Sequence, residues 1–227
     1  MKHGMARFAT AAVLAMIGPW AAYGVEFTLD VGEKPVPAGV SPEVKAQLAP
    51  KSYTLSEDGA AFMDIWLVSE IALSAKPVDA KEALEKMPQI QLLGVAEVLV
   101  PERHDFRDDP IGKGLYVMRL ALQPQDGNHM GTAPFDTFAM LIPNARDGEL
   151  KGVPDHKKMV DIAKEKTVTE HPPILSLQPM KAADGEFPRL DEGGEEWHFL
   201  TIKLPGKSGA EAVEVPVQMV FEGIGDL

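Results

Sequence analysis

Apolar and polar residues alternate without a break from Val25 to Val31, as in a strand with one covered face and one wet face. Tyr53-Thr54-Leu55 and the run from Phe62 to Val68 flank Glu57-Asp58-Gly59, which predicts a β-hairpin. The second run is apolar on both faces apart from Asp64 and predicts a central strand covered on both sides. Ile90 to Val100 predicts a buried strand with a bulge at Gly94. Leu115 to Gln123 and Phe135 to Ile142 form a further hairpin whose long loop, Pro124 to Pro134, is rich in Pro, Gly, Asp and Asn. A short apolar run from Ile174 to Leu177 follows. Glu196 to Leu204 and the strictly alternating Val213 to Phe221 close the pattern, with Pro216 predicting an edge position or a bulge.

Helical spacing is rare and brief. Ser41 reads as an N-cap with Pro42 at the first helical position, in a helix that ends by Pro50. Asp79 can cap a second helix while Glu82 reaches back, and Pro88 stops it. Asp155 to Lys166 is the best amphipathic stretch, with Met159, Ile162 and Ala163 on one side. The segments Lys34 to Val40, Pro101 to Gly114, Asn144 to Pro154 and Lys181 to Glu195 read as loops. About eight or nine strands with two or three short helices in connections predict a mainly β chain: an antiparallel β-sandwich, jelly-roll-like or immunoglobulin-like, as a single domain over residues 25–227.

Composition places this sandwich. Lys2 and Arg7, the apolar run Phe8 to Ala22 and the small-x-small Ala22-Tyr23-Gly24 predict a cleavable signal peptide over residues 1–24. The apolar run is too short, and too interrupted by Gly18-Pro19, for a spanning helix of about 20 residues. With no cysteine there is no lipid-modified cysteine at the cleavage site and no disulfide. The expected location is the periplasm or the medium, without membrane insertion after cleavage. Loss of Lys2 and Arg7 leaves 20 basic against 34 acidic residues, a formal charge of −14, which argues against nucleic acid as a partner.

Absence of cysteine also removes blue-copper, iron–sulfur, thiol-nucleophile and attached c-type haem chemistry. The chain carries no G-x-S-x-G, H-E-x-x-H, phosphate-loop or dinucleotide motif. The loop with Asp126, Asn128, His129 and Met130 holds the densest set of capable side chains. His129 and Asp126 can ligate a divalent metal, Met130 can add a soft donor for copper, and His171 or His104 can complete a set if the fold gathers them. The same residues equally serve to hold a long loop through turns and backbone hydrogen bonds. Asp105, Asp108 and Asp109 beside His104 do not match a calcium loop and read as a solvated charged turn. Arg119 sits within an apolar strand; it is either exposed or a buried cation paired with a carboxylate such as Asp64 or Asp136. Trp66 and Trp197 read as core residues, with a sugar platform as the exposed alternative.

The expected function is that of an exported, soluble, non-enzymatic sandwich without a cofactor. It would bind a ligand or a protein partner in the cell envelope through end loops, with Asp126, Asn128, His129, Arg119 and Asp136 as the binding residues. The alternative is a copper or zinc protein, or a metal-dependent enzyme, built on His129, Asp126, His171 and His104. A purely structural role in an envelope complex is a third possibility.

Overall fold

The computed structural model describes residues 25–123, 135–151, 155–165, 167, 169, 171–180, 185–193 and 197–223. The expected signal peptide and the loop with Asp126, Asn128, His129 and Met130 lie outside these residues. In chain order the elements are β1 (Phe27–Gly32), α1 (Pro42–Lys45), β2 (Ser52–Glu57), β3 (Ala60–Leu67), β4 (Ile71–Leu73) and α2 (Ala80–Lys86). Then come β5 (Leu92–His104), β6 (Pro110–Leu122), β7 (Thr137–Pro143), a 3-10 helix (Asn144–Leu150), α3 (His156–Lys164), β8 (Ile174–Pro179), β9 (Arg189–Gly193), β10 (Trp197–Ser208) and β11 (Glu211–Glu222).

The strands join in the order β1-β2-β3-β5-β6-β7-β8-β11-β10-β4, with β9 also on β10. Among the described residues every strand pairing is antiparallel except that of β4 with β10. The sheet doubles over. Phe27 of β1 and Phe62 of β3 meet Phe221 of β11 at ring distances of 5.4 and 5.8 Å, although these strands lie far apart in the sheet order. One core fills the fold: Leu55, Ile65, Val95, Met118, Leu120 and Leu141 from one half and Leu200, Ile202, Val215, Val217 and Met219 from the other. This is the antiparallel sandwich that the alternation predicts, and its helices are short and confined to connections.

A second apolar cluster covers the reverse face. Phe138, Met140 and Ile142 of β7 meet Met159, Ile162 and Ala163 of α3 there, together with Phe106, Phe199 and Val220. With helix on one side and core on the other, every residue of β7 is buried, which is why its sequence runs apolar without alternation. Among the helices, Ser41 and Asp79 cap as expected and Asp155 caps α3, each accepting from the backbone N–H three residues on. Gly94 marks the expected irregularity in β5. A Cβ there would lie 2.2 Å from the Trp66 carbonyl oxygen of β3.

Two loop expectations give way to strands. The strands of the Pro101–Gly114 segment run on to His104 and resume at Pro110, leaving only Asp105 to Asp109 as the turn. They persist because Arg103 turns inward, stacked 4.1 Å over the Phe62 ring and ion-paired with Glu57 at 2.5 Å and with Glu222. The Lys181–Glu195 loop contains β9, a short strand laid on the edge of β10.

β8 changes neighbours along its length. It pairs with β7 from Ile174 to Ser176 and with β11 from Leu177 to Pro179. Past Phe138↔Ser176 the ladder between β7 and β8 stops, and the sheet opens.

Candidate functional site

A cavity of about 550 Å³ occupies this opening. Its walls come from Leu122 and Gln123 at the end of β6, from Phe135, Asp136 and Thr137 leading into β7, and from Leu177 and Pro179 of β8. α2 contributes Lys81, Leu84 and Glu85; Gln89 and His156 complete the lining. Leu84 and Leu177 are buried, as are the uncharged polar residues Gln123 and Thr137. The charged groups stand at the rim. Lys81 and Glu85 are exposed and lie 4.0 Å apart one helical turn from each other, so they largely offset one another. Asp136 is also exposed, while its main-chain oxygen accepts the Gln123 N–H at 2.8 Å. A chain segment leaves this cavity at Gln123 and returns at Phe135: the segment is residues 124–134, with Asp126, Asn128, His129 and Met130.

The other expected site residues lie elsewhere. Arg119 points to the reverse face, where its Nε and Nη2 donate to the two carboxylate oxygens of Asp147 at 2.5 and 2.8 Å. Its Nη1 donates to the Ile90 carbonyl at 3.0 Å. The partner is therefore neither of the two carboxylates named from the sequence. Asp64 instead accepts from Lys34 Nζ at 2.7 Å and from the Thr54 hydroxyl at 2.5 Å. Asp147 belongs to the 3-10 helix that follows β7, in a stretch read as loop. Nothing in local spacing reports that this segment folds back over β6.

His104 and His171 sit at the end of β6 away from the cavity. His104 pairs in register with Pro110, at the start of that strand, and its ring lies 3.6 Å from Glu102. His171 Nδ1 is 2.9 Å from the Asp109 carboxylate, with most of the ring exposed. The 13 residues of β6, about 40 Å if straight, separate this end from Leu122 in the cavity wall. Among the described residues there is no group of three or more His, Asp or Glu side chains able to hold a metal.

The turn expected to be solvated is instead pinned. The Asp105 carboxylate has no exposed surface; it accepts from the Arg107 backbone N–H at 2.9 Å, from the Asp109 N–H at 3.3 Å and from the Arg107 guanidinium at 2.5 Å. Arg107 also donates to the Pro172 carbonyl at 2.7 Å. These bonds fold the tip of the β5–β6 hairpin over the reverse face, so Phe106 stacks on Phe138 at 6.0 Å. Trp66 is buried with its indole N–H on the Lys34 carbonyl at 2.9 Å, and Trp197 packs near Phe106 and Phe199.

The cavity lining was the feature that sequence reasoning missed. Leu122, Gln123, Phe135 and Asp136 were visible as loop ends, but Leu84, Leu177 and Pro179 reach them only through the change of neighbour in β8. Comparison with family models, with curated proteins and with solved structures finds no match to this chain.

Proposed function

We propose that this is an exported, non-enzymatic binding protein that takes its ligand in the cavity between β7 and β8, at the root of segment 124–134. The observation that carries the reading is the coincidence of the opening in the sheet with the two strand ends that hold the loop with Asp126, Asn128, His129 and Met130. The volume of about 550 Å³ suits a small ligand or a few residues of chain. An apolar floor with a few uncharged polar groups, and charges kept to the rim, fits recognition of an amphipathic ligand with a neutral inner part.

A fragment library screened by thermal shift against the chain from Val25 tests the reading, with Gln89→Trp as the occluded control. Gln89 is exposed on the lining, so the bulky ring fills the mouth without entering the core. A fragment at 100 times its Kd stabilises by about 2.7 kcal/mol, roughly 5–10 °C at this size. Hits are expected on wild type and not on the variant; hits that ignore the variant reject the cavity. Elemental analysis of protein purified without chelators addresses the alternative. Stoichiometric copper or zinc that is lost in His129→Ala would replace this reading with the metal one.

A further inference from the structure

Resting on the cavity reading above, we propose that Arg119 is a positioning residue for the cavity. From the reverse face it holds the turn of residues 88–91, and with it Gln89, in a strained conformation that the binding surface requires. The strain lies at Ile90, whose φ of 66° is in the left-handed region. For a residue with a Cβ this region is disfavoured about tenfold against the right-handed one, and a branched Cβ makes it rarer still. The other non-glycine residues with positive φ among the described residues are Asp58 and Asp108, a type that tolerates it in turns. Two hydrogen bonds define the local geometry: the Ile90 N–H donates to the Leu120 oxygen at 2.8 Å, and the Leu120 N–H donates to the Gln91 oxygen at 2.9 Å. Ile90 and Gln91 thus stand together opposite Leu120, in a bulge whose left-handed position ordinarily belongs to glycine. The next residue adds a second cost. Gln91 Oε1 accepts from the Ala72 N–H at 2.7 Å, but its buried Nε2 meets no acceptor among the described residues.

Arg119 offsets these costs from the reverse face. Its Nη1 donates to the Ile90 carbonyl at 3.0 Å, while Nε and Nη2 stay on Asp147. A planar guanidinium serves both partners at once, and the ion pair fixes its plane. The Ile90 side chain is buried in the reverse-face cluster. On the other side of the turn lies the cavity. Gln89, one residue before Ile90, is in its lining, as are Lys81, Leu84 and Glu85 of α2, which runs into the turn through Met87 and Pro88. Leu122, also in the lining, is two residues along β6 from Leu120. The strained turn therefore joins two walls of the cavity, and the peptide between Gln89 and Ile90 cannot turn over without moving Gln89. Strain of this kind persists only where the surroundings over-determine it, and it gathers at binding sites.

The test is calorimetric titration of the chain from Val25 with the tightest fragment of the thermal-shift screen. Arg119→Met combined with Asp147→Leu removes the donor without leaving a lone charge. Arg119→Lys keeps a cation for Asp147 but replaces the fork by a single ammonium. Both are expected to bind the fragment about tenfold more weakly, as Ile90 relaxes. Adding Ile90→Gly to either should restore the wild-type affinity while lowering the urea midpoint. Glycine takes the left-handed conformation unaided, but it leaves the reverse-face cluster unfilled. A role in stability alone would move affinity and midpoint the same way. Variants that bind like wild type, or weakened binding that Ile90→Gly does not restore, would overturn the positioning role and leave the cavity reading intact. If no fragment distinguishes wild type from Gln89→Trp, both readings fall.

Discussion

Arg119 shows how one side chain can be legible as a problem while its solution stays hidden. A guanidinium in an apolar strand announces that a carboxylate or water must meet it. The carboxylate is Asp147, 28 positions away, and its identity depends on the turn after β7 rather than on anything near Arg119. Both side chains are largely shielded, with 16% and 7% of their surface exposed. Asp147→Ala leaves the cation without its partner and should cost about 3–5 kcal/mol in urea unfolding. Arg119→Met combined with Asp147→Leu should recover most of that loss; a double variant no more stable than Asp147→Ala would show that the ion pair is not the source. Asp191 offers a pH-dependent counterpart. Burial disfavours its charged form, but hydrogen bonds from Arg189 at 2.8 Å and Thr201 at 2.7 Å outweigh this and hold the carboxyl below its usual range. A depressed folded value means that the contribution is complete above about pH 4 and fades as pH falls through the folded value. Asp191→Asn should therefore cost about 1 kcal/mol at pH 7 and progressively less in acid. An equal penalty at both ends of the titration would contradict the assignment.

At the scale of elements, what could be read was whatever local chemistry decides. Ser41, Asp79 and Asp155 cap their helices because a side-chain oxygen three residues before an orphan N–H needs no tertiary help. Glu82 does reach back, although to the N–H of Val78 rather than that of the cap residue. Gly94 was visible because it interrupts an apolar run, and the Trp66 carbonyl that crowds it supplies the reason. Gly94→Ala should destabilise by about 1–3 kcal/mol or more, since the contact is with backbone that cannot swing aside. A stability loss near the few tenths typical of exposed sites would refute the close approach. What escaped reading was structure that borrows its edge from elsewhere. β9, Arg189–Gly193, has no apolar alternation and is a strand only because the edge of β10 is open to it. The outer arms of β5 and β6 hold few apolar residues, and their pairing depends on Arg103 reaching Glu222 of a strand more than a hundred residues away.

At the scale of the molecule, the sandwich followed from alternation, but the cavity depends on β8 exchanging one neighbour for another. That exchange needs the two halves of the sheet to be placed first, so no property of Ile174 to Pro179 alone could reveal it. The same placement bears on whether residues 25–227 behave as one unit. The main core draws on both halves of the sheet, while the reverse-face cluster with α3 lies behind it and shares the β7 backbone. Trp66 belongs to the first cluster and Trp197 packs on the second, so the chain from Val25 carries one natural probe for each. If the shared strands couple the clusters, unfolding is cooperative, and fluorescence from either probe follows the loss of sheet. In Trp66→Phe the emission reports Trp197, and in Trp197→Phe it reports Trp66. Within each variant, the denaturant midpoint by fluorescence should coincide with that by far-ultraviolet circular dichroism. A lower fluorescence midpoint in Trp66→Phe alone would mean that α3 and the reverse face open before the sandwich does, and that the chain is not one cooperative unit.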